Sequence, residues 1–201
     1  LNETGTALPN GSKDEILTIQ QWGDIAWKDM QDAFYGCSNL TYNAIDTPNL
    51  SGVINMQGMF LNATSFNGDL SGWDVSNVIK TIVTFGGASA FTGLGLETWD
   101  VSSVDDMTGM FNGATNFNGN ISNWNPLALV NTNEMFANTE NFNRDFNASW
   151  SVASLTNARQ MFEGAIAFNG NVGGLNMAAV SDMASMFQDA TSFQGLGIDS
   201  W

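Results

Sequence analysis

Phenylalanine recurs along this chain on a fixed step, and a fixed step restricts the fold to a stack of like units. Phe60, Phe85, Phe111, Phe136, Phe162 and Phe187 follow one another at intervals of 25, 26, 25, 26 and 25 residues. A second Phe stands six residues after each, from Phe66 to Phe193. A third slot, seven or eight residues further on in strict alternation, holds Trp73, Trp99, Trp124, Trp150, Leu175 and Trp201. Extending backwards, Phe34 and Leu40 fill the Phe slots, while Trp22 and Pro48 fill Trp slots. All ten Met residues fall on three repeat positions, and 13 of 14 Phe and six of seven Trp obey the pattern. The chain therefore reads as one repeat domain over residues 16–201, about seven units long, after an extended N-terminal arm at 1–15. Such units bury their apolar faces only against neighbours.

Within a unit two periodicities alternate. "VSSVDDMTGMFNGATNF" puts Val104, Met107, Met110, Phe111 and Ala114 on one helical stripe. Ser102 or Ser103 stands at its N-cap, with Asp105 and Asp106 where a helix dipole favours anions. Asn-Gly after the second Phe is turn chemistry. "GWDV", "TWDV" and "SWSV" alternate as short strands. The expected unit is strand, short helix, turn, with the strands in a parallel ladder. One unit alone cannot fold. Its six or seven apolar side chains contribute ~1.5–3 kcal/mol each when buried, against ~1–2 kcal/mol per residue of backbone entropy. The seven/eight alternation has two readings: duplication of a two-unit block, as "FTGLGLETW" and "FQGLGIDSW" suggest, or a one-residue bulge on alternate rungs.

"MFLNATSFNGDLSGWDVSNV" and "FYGCSNLTYNAIDTPNLSGVINMQGMF" resemble the bacterial-surface 26-residue repeats, the BspA-like leucine-rich repeat family. The likeness covers about residues 16–201. It implies a right-handed α/β solenoid of leucine-rich-repeat type, on exported or cell-surface proteins. There the repeats serve attachment, aggregation or other contacts rather than catalysis.

Five basic residues against twenty acidic ones give a net charge of −15, which repels nucleic acid and anionic lipid. There is no His, the commonest general base and metal ligand. A single cysteine, Cys37, rules out an internal disulfide framework. No apolar run approaches the ~20 residues that span a bilayer. Cys37 shares a slot with Ala63, Ala88, Ala114, Ala165 and Ala190, which marks it as a small core residue. The Met columns lie beside Phe and read as core rather than as a copper site. Asp105/Asp106 and Asp14/Glu15 are adjacent in sequence without partners, so no catalytic pair and no enzyme is expected.

Asp74 and Asp100 follow Trp residues, with Asn49, Asn125 and Asn176 in register. Oxygens stacked about 4.7 Å apart suit calcium, though an Asn/Asp hydrogen-bond ladder accounts for the same residues without metal. The outward positions Gly72, Thr98, Asn123, Ser149 and Gly174 are small and lack the Trp, Tyr and Arg of binding hot spots. Asn-X-Ser/Thr sequons stand at Asn2, Asn10, Asn39, Asn49, Asn62, Asn120 and Asn147, candidates for glycosylation. Trp201 reads as sitting within a strand whose edge is unpaired, and the arm with Leu1, Ala7 and Leu8 as a segment able to lie along a neighbour. The expected function is that of a secreted structural protein, extracellular or at the cell surface and without cofactor, whose copies join head to tail into a filament. The alternative is a surface adhesion module for host protein or glycan.

Overall fold

The structure, a computed structural model, describes residues 12–150 and 152–201. The arm expected at 1–15 lies outside these up to residue 11, and Ser12–Glu15 form a 3-10 helix. The expected α/β solenoid of strand–helix units, of leucine-rich-repeat type, is not what the chain builds. The described residues contain no α-helix. Their strands are β1 (Thr18–Ile19) and β2 (Thr41–Tyr42), paired in parallel, and their other elements are short 3-10 helices. No described helix is long and apolar enough to cross a membrane.

The stripe read as a helix over 104–114 is a run of tight turns. Met110, Asn112 and Ala114 donate to the carbonyls of Met107, Gly109 and Phe111, three residues back (3.1, 2.9 and 2.9 Å). The intervening N–H groups leave the repeat altogether. Met107, Gly109, Phe111 and Gly113 donate to Asn131, Asn133, Met135 and Ala137 of the next repeat (3.0, 2.8, 3.0 and 2.8 Å). An α-helix cannot do this, because all its N–H groups point along one axis within a single segment. Successive three-residue turns carry the same i, i+3 apolar spacing as a helix, which is why the periodicity misled. Backbone handedness separates the two. Gly109 and Gly113 have φ of 56° and 72°, and the same pair of left-handed residues, four apart, recurs in every repeat from Asp32/Gly36 to Ser185/Asp189. A positive φ at the third position is the type II turn requirement.

The repeats, numbered one to seven by Phe34, Phe60, Phe85, Phe111, Phe136, Phe162 and Phe187, thus lie in parallel register. Isolated parallel bridges link Asn55, Lys80, Asp106, Asn131, Asn157 and Asp182 in succession. This pairing lies five residues before each first Phe. Among the described residues the strands expected at "GWDV" and its equivalents are absent, and after Trp73 and Trp99 the chain turns instead, with Asp74 and Asp100 capping the turns. The alternating spacing has a structural answer, and it is not a strand bulge. The three long segments, 91–99, 142–150 and 193–201, each take up the extra residue in one turn of 3-10 helix, at Leu96–Thr98, Ala148–Trp150 and Ile198–Ser200.

Aromatic rings fill the interior. First-slot Phe rings of neighbouring repeats stack with centroids 5.4–5.7 Å apart and planes within 14°. A second column runs from Phe66 to Phe193 at 5.5–6.2 Å. Phe60, Phe85, Phe111, Phe136 and Phe162 are fully buried, whereas Phe187 is only partly so. Trp22, Trp73, Trp99, Trp124 and Trp150 are buried too. Trp73 stacks on Trp99 at 6.4 Å and Trp124 on Trp150 at 6.0 Å, while Trp22 meets Trp73 edge-on at 5.3 Å. The indoles of Trp99, Trp124 and Trp150 donate to carbonyls of the repeat behind, at Leu70, Leu96 and Ile121 (3.3, 2.8 and 3.1 Å). Each Trp so satisfies the polar edge that its burial would otherwise strand.

Two substitutions test the turn ribbon. Gly87 combines φ of 64° with a site where an added Cβ would lie 2.3 Å from Asn62 Oδ1. Gly87→Ala is expected to cost about 2 kcal/mol in urea unfolding, with part regained in the Asn62→Gly background, which removes the clash and leaves the backbone strain. Val83, β-branched at φ 46°, carries strain of ~1–2 kcal/mol. Val83→Asn should therefore raise the melting temperature.

Candidate functional site

The side-chain oxygens of Asn and Asp are used mostly to hold turns. Asp74 Oδ1 accepts from the Ser76 hydroxyl (2.6 Å) and N–H (3.1 Å), and Asp100 Oδ1 accepts from Ser102 N–H (3.0 Å). Asn49 holds Ser51, and Asn176 holds the Ala178 N–H, in the same way. These are Asx turns, each closed within its own repeat. The calcium candidates Asp74 and Asp100 are therefore engaged by serines, and among the described residues no three His, Cys, Asp or Glu groups gather as a metal site. A ladder between repeats does exist, elsewhere. Asn118 Oδ1 accepts from Asn143 N–H (3.2 Å), Asn143 from Asn169 (2.9 Å) and Asn169 from Gln194 (3.0 Å).

A further set of Asx turns, missed in the sequence, stands at the parallel bridges. Asn55, Asp106, Asn131, Asn157 and Asp182 each accept the N–H two residues on (2.9–3.0 Å). The signal was present as Asn or Asp in that slot of nearly every repeat. Asp106 thus caps a turn, not a helix. Asp105 pairs with Lys80 (2.7 Å), the cation that fills the slot in repeat three. Asp14 and Glu15 lie in the first 3-10 helix. Cys37 is buried beside Leu40 and Phe34 in the core, and Met56, Met59, Met107, Met110, Met135 and Met161 are buried as well.

Of the sequon residues, Asn39, Asn49, Asn62 and Asn120 are exposed, and Asn2 and Asn10 lie outside the described residues. Asn147 is exposed but committed. Its Nδ2 donates to Ser122 O (2.8 Å) and its Oδ1 holds Ser149. Of the assembly candidates, Leu1, Ala7 and Leu8 also lie outside the described residues. Trp201 is not in a strand. It follows the 3-10 helix Ile198–Ser200, stacks on Phe187 at 6.2 Å and donates to Val172 O (3.2 Å).

Among the described residues, clefts border this framework at both ends of the repeat series. One of about 270 Å³ is lined by Thr18, Ile19, Trp22, Trp27, Met30 and Phe34 at repeat one. Another, about 550 Å³, lies where loops of repeats five, six and seven adjoin, at Phe146–Ala148, Asn171–Gly174 and Gly197–Ser200. A third, about 260 Å³, shares Gly173, Gly174 and Ser200 with it and continues to Met177 and Trp201. Gly174, expected on an outward face without the residues of binding hot spots, lines both of these last two clefts.

Asp74 is held below the ordinary carboxylate value of 3.8 by the Ser76 hydroxyl and then its N–H, and Asp100 likewise by Ser102. Asp46 is lowered by the N–H groups of Trp22 and Gly23. A lowered carboxylate stabilises the fold above its unfolded pKa, and the contribution is lost as pH falls through the folded one. Lys80, raised chiefly by its hydrogen bond to Asp105, contributes below its unfolded value of 10.5 and loses that contribution as pH rises beyond it. The melting temperature should be level between these limits and fall below about pH 4, less steeply in Asp74→Asn/Asp100→Asn, whose amide oxygens still accept from serine. Calcium at roughly millimolar level, the weakest class of protein site, should leave it unchanged relative to chelator.

Comparison with known families adds one relation. The family model described as "Mycoplasma protein of unknown function, DUF285" matches twice, over residues 10–94 and 82–201. No curated protein and no solved structure matches the chain. Two matches in tandem agree with a body made of one repeated unit, and together they cover all seven repeats. The chain belongs to this family of Mycoplasma proteins.

Proposed function

We propose that this chain is an extracellular or cell-surface structural repeat protein whose copies add head to tail into a filament. One observation carries the reading, the common polarity of the peptide groups that join repeats. In repeat after repeat, N–H groups point to the following repeat and the C=O groups of the same peptides to the preceding one. Among the described residues the first and last repeats therefore present opposite chemistry. In repeat seven the N–H groups of Met183, Ser185, Phe187 and Asp189 have no acceptor among the described residues. In repeat one the carbonyls of Gln31, Ala33 and Tyr35 have no donor there. The apolar cleft at Trp22, Trp27 and Phe34 offers room for an incoming aromatic edge. A second copy supplies that edge through Phe187, Phe193 and Trp201, all only partly buried.

Likeness to the 26-residue repeats of bacterial surface proteins supports an exported location. Charge opposes the union, since copies at −15 repel. Raising ionic strength from roughly 0.01 to 0.15 M shortens screening from ~30 to ~8 Å. Sedimentation velocity should therefore show assembly that grows with both concentration and salt, and electron microscopy should show filaments. Deleting residues 1–13 or replacing Trp201 with Ala should abolish them while near-ultraviolet circular dichroism stays native. A chain that remains monomeric under all these conditions overturns the proposal.

A further inference from the structure

We infer that the lateral cleft across repeats five, six and seven binds a neutral glycan. The site shares Trp201 of repeat seven with the edge proposed for head-to-tail joining, but it is argued from its own lining and does not rest on self-association.

Its origin is local to the sixth repeat. Where repeat two carries Ser71-Gly72-Trp73 and repeat four Ser122-Asn123-Trp124, repeat six carries Gly173-Gly174-Leu175. Relative to repeat four, two side chains are gone and Leu replaces Trp, and adjoining spaces of about 550 and 260 Å³ lie beside these residues, the larger within the ~300–1,000 Å³ of small-molecule sites. The floor is fixed by backbone. A Cβ on Gly174 would lie 2.1 Å from Asn147 O and 2.2 Å from Phe146 O, and Gly174 N–H donates to Phe146 O (3.0 Å). No side chain can occupy that floor, so the space above it stays open.

The polar groups around it are held in place with capacity to spare. Asn171 uses Oδ1 to accept from Gly173 N–H (2.8 Å), and its Nδ2 has no acceptor among the described residues. Ser200 donates its hydroxyl proton to Gly197 O (2.6 Å), leaving lone pairs. The Asp199 carboxylate has no hydrogen-bond or ion-pair partner among the described residues. A carboxylate beside an amide N–H₂ is the donor and acceptor set that vicinal hydroxyls satisfy. In the adjoining space Leu175, Met177 and the ring of Trp201 provide an apolar surface for the C–H side of a second sugar. The lining contains a carboxylate and no cation, in a chain of net charge −15. Anionic sugars, phosphates and nucleic acid are repelled there, and a neutral oligosaccharide is not.

The test is a titration of 15N-labelled protein, kept monomeric at low salt, with maltotriose, cellotriose and chitotriose, and with sialyllactose as the anionic comparison. Saturable amide shifts at Gly173, Gly174 and Ser200 are expected with at least one neutral trisaccharide, at a Kd below about 5 mM, and none with sialyllactose. Asp199→Ala, an exposed change, should weaken binding at least tenfold. Gly173→Phe should fill the space and abolish binding, with the remaining spectrum native in both variants. Absence of saturable shifts with all three neutral sugars, preference for the anionic one, or wild-type affinity in Asp199→Ala overturns the inference. Filament formation is scored separately on the same preparations, so either proposal can fail without the other.

Discussion

Alternate peptide groups in each repeat face different ways, and the rest of the molecule follows from that division. Peptides such as Asn133–Glu134 lie along the stacking direction and hydrogen-bond to the repeats on either side, while those between them close three-residue turns within the repeat. The backbone is thereby satisfied in two directions at once, which neither an α-helix nor a regular strand achieves. The condition is a left-handed residue at two fixed places per repeat. Where the second of these falls, the chain supplies Gly, Asn or Asp seven times out of seven, the residue types for which αL costs least.

Hydrogen bonding of this kind fixes the distance between repeats, and the distance selects the side chains. Rings carried on successive first-slot positions arrive 5.4–5.7 Å apart and nearly parallel. That is the offset stacked arrangement worth ~0.5–1.5 kcal/mol per pair beyond area burial. Tryptophan needs a partner for its N–H, and the carbonyl of the previous repeat stands within reach of Trp99, Trp124 and Trp150. Asparagine performs the same service at the surface, where the run through Asn118, Asn143 and Asn169 joins four repeats. Aromatic interior and amide-rich exterior are two responses to one spacing.

The repeat, its length and its core columns were legible from residue spacing alone, because Phe and Trp recur at positions whose burial tolerates little else. Local backbone conformation was not. The stripe through Val104, Met107, Met110 and Phe111 fits a helix and a chain of turns equally well, since both place every third or fourth residue on one side. The discriminating signal lay at Gly113 and its equivalents Asn62, Gly87 and Asn138, inside the stretch whose spacing suggested a helix. Strand was expected at Trp73 and Trp99, whose following Asp residues instead close turns on serine. At the candidate sites, sequence offered Asp74 and Asp100 for calcium because their oxygens recur in register. It could not show that a serine two residues on would take them. Nor did it show the opening at Gly173 and Gly174, where side chains are missing relative to repeat four.

The uniform direction of the axial peptides has an electrical consequence. Each carries a dipole of ~3.5 D, and aligned dipoles add. Four rows run through the body, so every added repeat lengthens a permanent moment whose positive pole lies at repeat seven. The molecule is uniformly acidic in composition yet asymmetric along its length. Counter-ions would crowd toward the carbonyl side of repeat one, and a field would orient the protein along this moment.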